Sequence, residues 1–111
     1  MATTKLEDFI AELKESTRKG TVKWTETADE DTFRLVFDYA MVKIESGFHS
    51  DDEEPFFHLT ILNSKGRLID EVYSTPNIYV PLSELFALAR RSAREADSIL
   101  EKLRSEIRST L

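Results

Sequence analysis

The sequence predicts an α+β domain of two layers, in which an N-terminal helix and a long C-terminal helix cover one face of an antiparallel sheet of about five strands. Three observations support this prediction. Apolar residues recur at helical spacing near the N-terminus, short alternating segments separated by turn residues fill the centre, and an uninterrupted amphipathic segment ends the chain. A length of 111 residues fits one domain, residues 1–111, with a hydrophobic core.

The first helix is predicted from Thr4 to Lys19. Thr4 and Glu7 have the spacing of a capping box, in which each side chain accepts a hydrogen bond from the backbone of the other residue. Gly20 can adopt the left-handed conformation that commonly ends a helix. The buried stripe of this helix is predicted to contain Leu6, Phe9, Ile10 and Leu13.

Alternating apolar and polar residues predict an antiparallel meander of five strands. The alternation changes phase between Phe37 and Val42, so a turn or bulge is required near residues 38–40. In the fifth strand, Leu68 and Val72 are predicted to face the helices. The predicted strands cover residues 21–27, 32–38, 41–48, 56–63 and 67–74, and residues 63–66, which end in Gly66, are predicted to form the hairpin turn between the last two.

The opposite face of the predicted sheet is more apolar than a solvated face usually is. Two helices can cover only one side of the sheet, so apolar residues on the other side indicate a surface for a partner or for self-association. The candidate partner surface consists of Val36, Phe56, His58, Leu62, Ile69 and Tyr73.

The C-terminal segment from Leu82 to Leu111 is predicted to be one helix, since no Gly or Pro interrupts it after Pro81. Its first half presents small residues such as Ala89 and Ala93, which allow close packing on the sheet. The large residues of its second half either pack on the first helix or extend into a second subunit. This candidate dimer or helix-packing surface consists of Leu100, Leu103, Ile107 and Leu111.

Composition and charge narrow the function classes. The chain is 41% apolar and 32% charged, so it resembles neither disordered nor membrane proteins, and a cytoplasmic location is expected. The absence of cysteine excludes disulfides and zinc–thiolate sites. The net charge of −6 is concentrated in residues 1–81, which carry nine basic and sixteen acidic side chains. An acidic body repels a phosphate backbone, so the charge disfavours nucleic acid as the main partner.

Two charged clusters offer alternative functions. The acidic loop 49–54 supplies oxygen ligands suited to Ca²⁺ or Mg²⁺, although it lacks the ligand spacing and central glycine of an EF-hand. Arg90, Arg91 and Arg94 form the one basic cluster, which could contact nucleic acid but is better explained as a salt-bridged solvated face. No catalytic triad or cofactor motif is recognisable, so we expect no cofactor and no catalytic residue.

The chain resembles a loosely defined group of small bacterial α+β proteins without an assigned activity. The matching segments are residues 20–24 (GTVKW) after the first helix, Gly66 with Ile69 and Asp70, and Leu85 with residues 89–93 (ARRSA). The resemblance implies a bacterial α+β protein and transfers no activity and no functional residue.

These observations favour a non-enzymatic protein-interaction module, such as an immunity factor, an inhibitor or a small chaperone, with a basic partner suited to its acidic body. A second hypothesis is a small-molecule or divalent-metal-dependent enzyme that uses loop 49–54. A third is nucleic-acid contact through the arginine cluster. Homodimer formation is a separate prediction.

Overall fold

The computed structural model describes residues 5–48 and 54–110, and it confirms the predicted α+β class. A helix is followed by five strands and then by two helices. The strands form one antiparallel sheet in chain order, β1-β2-β3-β4-β5. The elements are α1 (Lys5–Lys19), β1 (Thr25–Glu26), β2 (Thr32–Val36), β3 (Ala40–Phe48), β4 (Pro55–Asn63), β5 (Leu68–Tyr73), α2 (Tyr79–Ala93) and α3 (Ala96–Ser109).

Helix α1 ends as its sequence predicts. Gly20 has φ 78° and donates its N–H to the carbonyl of Thr17 at 3.1 Å, while Thr21 N–H donates to the carbonyl of Ser16 at 3.0 Å. These two bonds form a Schellman cap, which needs a left-handed residue and so favours glycine. The predicted capping box depends on Thr4, which lies outside the described residues.

The first strand is much shorter than the predicted segment 21–27. Only Thr25 and Glu26 pair with β2, because Trp24 leaves the sheet and enters the core. Its backbone N–H donates to Ser92 Oγ at 3.0 Å instead of to a neighbouring strand. The burial of Trp24 therefore outweighs the strand preference that the alternating pattern of residues 21–27 indicates.

Both predicted turns that set the register of the sheet are present. Phe37 N–H donates to the carbonyl of Ala40 at 2.8 Å, which closes the β2–β3 turn where the phase of the pattern changes. In the β4–β5 turn, Gly66 has φ 79° and donates to the carbonyl of Asn63 at 2.9 Å. Tight turns fix strand register, so the inner face presents the residues that alternation assigns to it on β2, β3 and β4.

The core lies between the inner face of the sheet and helices α1 and α2. Trp24 is fully buried at its centre, and its Nε1–H donates to Thr17 Oγ1 at 2.9 Å. Thr17 in turn donates to the carbonyl of Leu13 at 2.7 Å. Burial of apolar area is the main stabilising term of such a domain. The buried apolar residues are Ile10, Leu13, Trp24, Phe33, Leu35, Val42, Ile44, Phe57, Leu59, Ile78, Leu82, Leu85, Phe86 and Ala89.

The C-terminal segment is two helices, so the predicted single helix from Leu82 to Leu111 is wrong. The helix breaks at Glu95, which adopts the left-handed conformation with φ 54°. Two exposed ion pairs lie beside the break: Lys23 Nζ lies 2.8 Å from Glu95 Oε1, and Arg94 Nε lies 3.1 Å from Glu26 Oε1. The hydrogen bond from the Lys23 ammonium lowers the pKa of Glu95 below its usual value.

Gly47 has a packing role on the outer face of the sheet. It pairs with Phe56 across β3 and β4, and a Cβ at this position would lie 2.8 Å from the Cε1 and Cζ atoms of the Phe56 ring. The aromatic ring therefore covers the glycine backbone, an arrangement that compensates for the missing side chain of a strand glycine.

Replacing Gly47 by alanine is expected to displace the Phe56 ring and to lower the free energy of unfolding by about 1 kcal/mol. The ring edge can swing away, which keeps the cost small. Urea denaturation of Gly47→Ala, Phe56→Leu and the double variant measures the coupling. Independent, additive effects of the two substitutions would contradict this packing role.

Candidate protein-interaction surfaces

A row of apolar side chains crosses one end of the outer face of the sheet. Val36 of β2 is opposite Met41 of β3, Met41 is opposite Leu62 of β4, and Leu62 is opposite Leu68 of β5. Directly opposed residues of antiparallel strands share a face, so the four side chains are adjacent. Val36 is 65% exposed and Leu68 is 56% exposed, so the row is accessible from solvent.

A β-bulge in β5 reverses the faces that the alternation predicts for Leu68 and Ile69. The β4–β5 register shifts between Ile61 and Leu62, which pair with Asp70 and Leu68. The extra residue in β5 is Ile69, and it lies beside α1 rather than on the outer face. The predictions that Leu68 faces inward and that Ile69 belongs to the outer face are therefore wrong, because one extra residue reverses the alternation.

The apolar row continues around the end of the sheet. Phe37 and Tyr39 in the β2–β3 turn are 42% and 88% exposed, and Ile69 is 57% exposed. Phe37 lies one residue beyond the end of β2. We call the exposed residues the sheet-end patch, which consists of Val36, Phe37, Tyr39, Leu68 and Ile69.

An open groove runs from the sheet-end patch to α1 and has a volume of about 420 Å³. Leu6 and Phe9 of α1 form one wall. Tyr39 and Ile69 lie along the other wall, and their side chains thus connect the groove to the patch. The groove is mostly apolar, with Lys5 and Asp70 at its margin. A shape of this kind suits an apolar side chain or a short apolar segment.

His58 links three strands at the middle of the outer face. Its side chain is 11% exposed, Nδ1 lies 2.8 Å from Glu45 Oε1, and Nε2 lies 3.0 Å from Glu71 Oε2. The ring also stacks on Tyr73 with a centroid separation of 3.9 Å. Both ring nitrogens thus have protein partners, which is the arrangement of a cross-strand polar link rather than of a free general base.

The candidate partner surface is thus divided by the structure. Val36 and Leu62 belong to the apolar row, whereas Phe56, His58 and Tyr73 lie on the same face toward its other end. Polar pairs such as Lys43–Thr60 separate the two groups. The end near the two turns therefore carries the contiguous apolar row, whereas Tyr73 at the other end is 54% exposed and stacks on His58.

A second apolar surface lies on α3. No residue of Ala96–Ser109 is buried, although the helix is amphipathic. We call its exposed large apolar residues the α3 stripe; they are Ile99, Leu100, Leu103 and Ile107, with exposures between 48% and 61%. Leu100, Leu103 and Ile107 belong to the candidate dimer surface, while Leu111 lies outside the described residues. The stripe does not pack on α1, since α3 approaches only α2 among the described elements.

Each arginine of the basic cluster has a partner within the chain. Arg91 Nη2 lies 2.6 Å from Asp97 Oδ1, and Arg94 pairs with Glu26. The Arg90 guanidinium lies 5.5 Å from the centroid of the Phe86 ring. These contacts are those of a salt-bridged helix face. Nucleic-acid binding through this cluster stays a prediction.

The acidic loop 49–54 lies outside the described residues except for Glu54. Within residues 5–48 and 54–110, no three His, Asp or Glu side chains are grouped so that they could hold a metal ion. Over the same ranges, no helix combines the length and the apolar character needed to cross a membrane.

Comparisons with protein-family models, with curated proteins and with solved structures found no match.

Proposed function

We infer that this chain is a non-enzymatic protein-interaction module and that its sheet-end patch receives the partner. The observation that carries this proposal is the exposure of five large apolar side chains at one end of a sheet whose inner face is otherwise well covered. Contiguous apolar surface of this kind on a small domain is typical of a protein-binding site. An inhibitor, an immunity factor or a small chaperone needs only such a surface and no catalytic group.

The shape and charge of the surroundings indicate the partner. The groove beside Tyr39 and Ile69 offers a recess for an apolar anchor residue, and Asp38 and Asp70 lie next to these side chains in the chain. Residues 1–81 carry a large excess of acidic side chains. The partner is therefore a protein that presents an apolar side chain flanked by basic residues, because opposite potentials steer association and fix orientation.

Photo-crosslinking in the native host tests this proposal. A benzophenone amino acid at Tyr39 is expected to form an adduct with one protein, whereas the same group at Val80 gives none. Val80 is a matched control, since it is 59% exposed but lies on the first turn of α2.

The captured protein is then purified and titrated against three forms of this chain by calorimetry. We expect Tyr39→Asp with Ile69→Asp to weaken binding by roughly 100-fold or more, as for the loss of a central apolar anchor, and Val80→Asp to leave affinity unchanged. A basic partner also predicts weaker binding at higher salt. Equal affinity of all three forms would exclude the patch as the binding site.

A further inference from the structure

Helix α3 cannot be explained as a self-sufficient element of the monomer. It has 14 residues, none of them buried, and its large apolar side chains are about half exposed. Isolated helices of this length are marginal in water, and helices in proteins gain most of their stability from packing of an apolar face. The α3 stripe therefore requires a cover that the described chain does not provide.

Four residues of α3 have the spacing of a two-helix contact, and we call them the seam. Ala96, Leu100, Leu103 and Ile107 follow one another at intervals of four, three and four residues. This is the a/d spacing of a coiled coil, in which one helix packs its apolar seam against the seam of another.

The seam is complementary to itself when one copy is turned end for end. In that antiparallel register, Ala96 lies opposite Ile107 of the second copy, and Leu100 lies opposite Leu103 of the second copy. A small residue then meets a large one at each end of the contact, which fills the interface evenly. Self-complementarity of this kind is what a two-fold symmetric interface requires.

The charges beside the seam select the same arrangement. In the antiparallel register, Asp97 is placed next to Arg104 of the second copy, and symmetry repeats this pair. Both side chains are exposed in the monomer, where Asp97 and Arg104 contact Arg91 and Glu101. A parallel pair would place Asp97 and Arg104 on opposite sides of the contact and would bring the two domain bodies to the same end. Charges at these flanking positions commonly set orientation.

We propose that α3 is a homodimerisation helix and that two copies of this chain associate through an antiparallel α3–α3 contact centred between Leu100 and Leu103. This inference rests on α3 and does not depend on the sheet-end patch. Two short helices form an interface at the small end of the range for specific complexes, so a dissociation constant on the order of 10 µM is expected.

Sedimentation equilibrium of the full chain tests the association. The wild-type chain is expected to change from a 12.8 kDa monomer to a dimer as its concentration rises past the expected dissociation constant. Leu103→Glu should raise the dissociation constant at least tenfold, whereas the control Val80→Glu, which also places a charge at an exposed apolar position, should leave it unchanged. Far-UV circular dichroism should show helicity that rises with concentration only in the chains that dimerise. A wild-type chain that stays monomeric up to 500 µM, or a Leu103→Glu variant that dimerises normally, would overturn the proposal.

Engineered cysteines test the orientation, and the chain has no native cysteine to interfere. A mixture of Ala96→Cys and Ile107→Cys chains should form mainly the mixed disulfide, because these positions oppose each other. Two copies of Ala96→Cys alone place their thiols about 16 Å apart along the helix axis, too far for a bond. Efficient cross-linking of Ala96→Cys to itself would instead establish a parallel pair and refute the antiparallel register.

Discussion

Replacing Phe33 by alanine is expected to lower the free energy of unfolding by about 3–5 kcal/mol, the usual cost of deleting a large aromatic side chain from a core. Phe33 is fully buried on β2 and packs against Phe86 of α2 with ring centroids 5.5 Å apart. The Arg94 guanidinium also lies 5.4 Å from the centre of its ring. The substitution therefore opens a cavity between the sheet and α2 and loosens the residue that precedes the helix break.

Urea denaturation followed by fluorescence measures this effect, since the single tryptophan, Trp24, is buried in the same core and reports its disruption. Phe37→Ala is the matched control: the same side chain is deleted from the turn that follows β2, where it is 42% exposed. We expect the control to cost less than half as much as Phe33→Ala. Equal losses of unfolding free energy in the two variants would mean that the contact of Phe33 with Phe86 does not stabilise the core.

Replacing Thr17 by valine is expected to cost about 1–3 kcal/mol, because it leaves the buried Nε1–H of Trp24 without an acceptor. Valine has almost the same shape as threonine, so little packing is lost. Thr17→Ser keeps the hydroxyl and should be destabilised less than Thr17→Val.

A double-mutant cycle isolates this hydrogen bond. In a Trp24→Phe background no indole N–H remains, so Thr17→Val should have a much smaller effect than in the wild type. Far-UV circular dichroism follows unfolding in all four chains, since the fluorescent residue is lost in two of them. An undiminished effect of Thr17→Val in the phenylalanine background would show that the indole bond contributes nothing.

Local chemistry was enough to predict two turns of the sheet. The phase change between Phe37 and Val42 indicated the β2–β3 turn, and Gly66 indicated the β4–β5 turn. Both signals are read over a few residues, and the conformations they favour are those the chain adopts. The long pairing of β3 with β4 follows from the same alternation.

Features set by contacts distant in sequence were not predictable. Nothing between Ala93 and Ala96 marks a helix end, since the apolar spacing continues and the residues favour helix. The residues beside the break, Glu95 and Arg94, pair with Lys23 and Glu26, which are about 70 positions away in the sequence. The same holds for Trp24, whose burial shortens β1.

The candidate surfaces were predicted only in part, again because contacts distant in sequence set some of their features. Alternation places Val36 and Leu62 on the outer face, but the bulge that exchanges Leu68 and Ile69 leaves no mark in the local pattern. The exposure of Tyr39 depends on the tight turn around it. The α3 stripe, in contrast, is visible in the spacing of Leu100, Leu103 and Ile107, and its exposure follows from the break at Glu95.

The order of the five strands has a consequence for how the chain folds. Every strand pairs with its immediate neighbour in sequence, and the two tightest hairpins close over loops of only a few residues. Short loops cost little entropy to close, so these hairpins can form early, and low average sequence separation of contacts favours fast folding. We expect the docking of α2 to be the slowest step, because α2 must meet α1 and Trp24 from the far end of the chain. Interactions that join α2 to the N-terminal third, such as Ser92 with Trp24, slow unfolding if they form only after the transition state of this docking step.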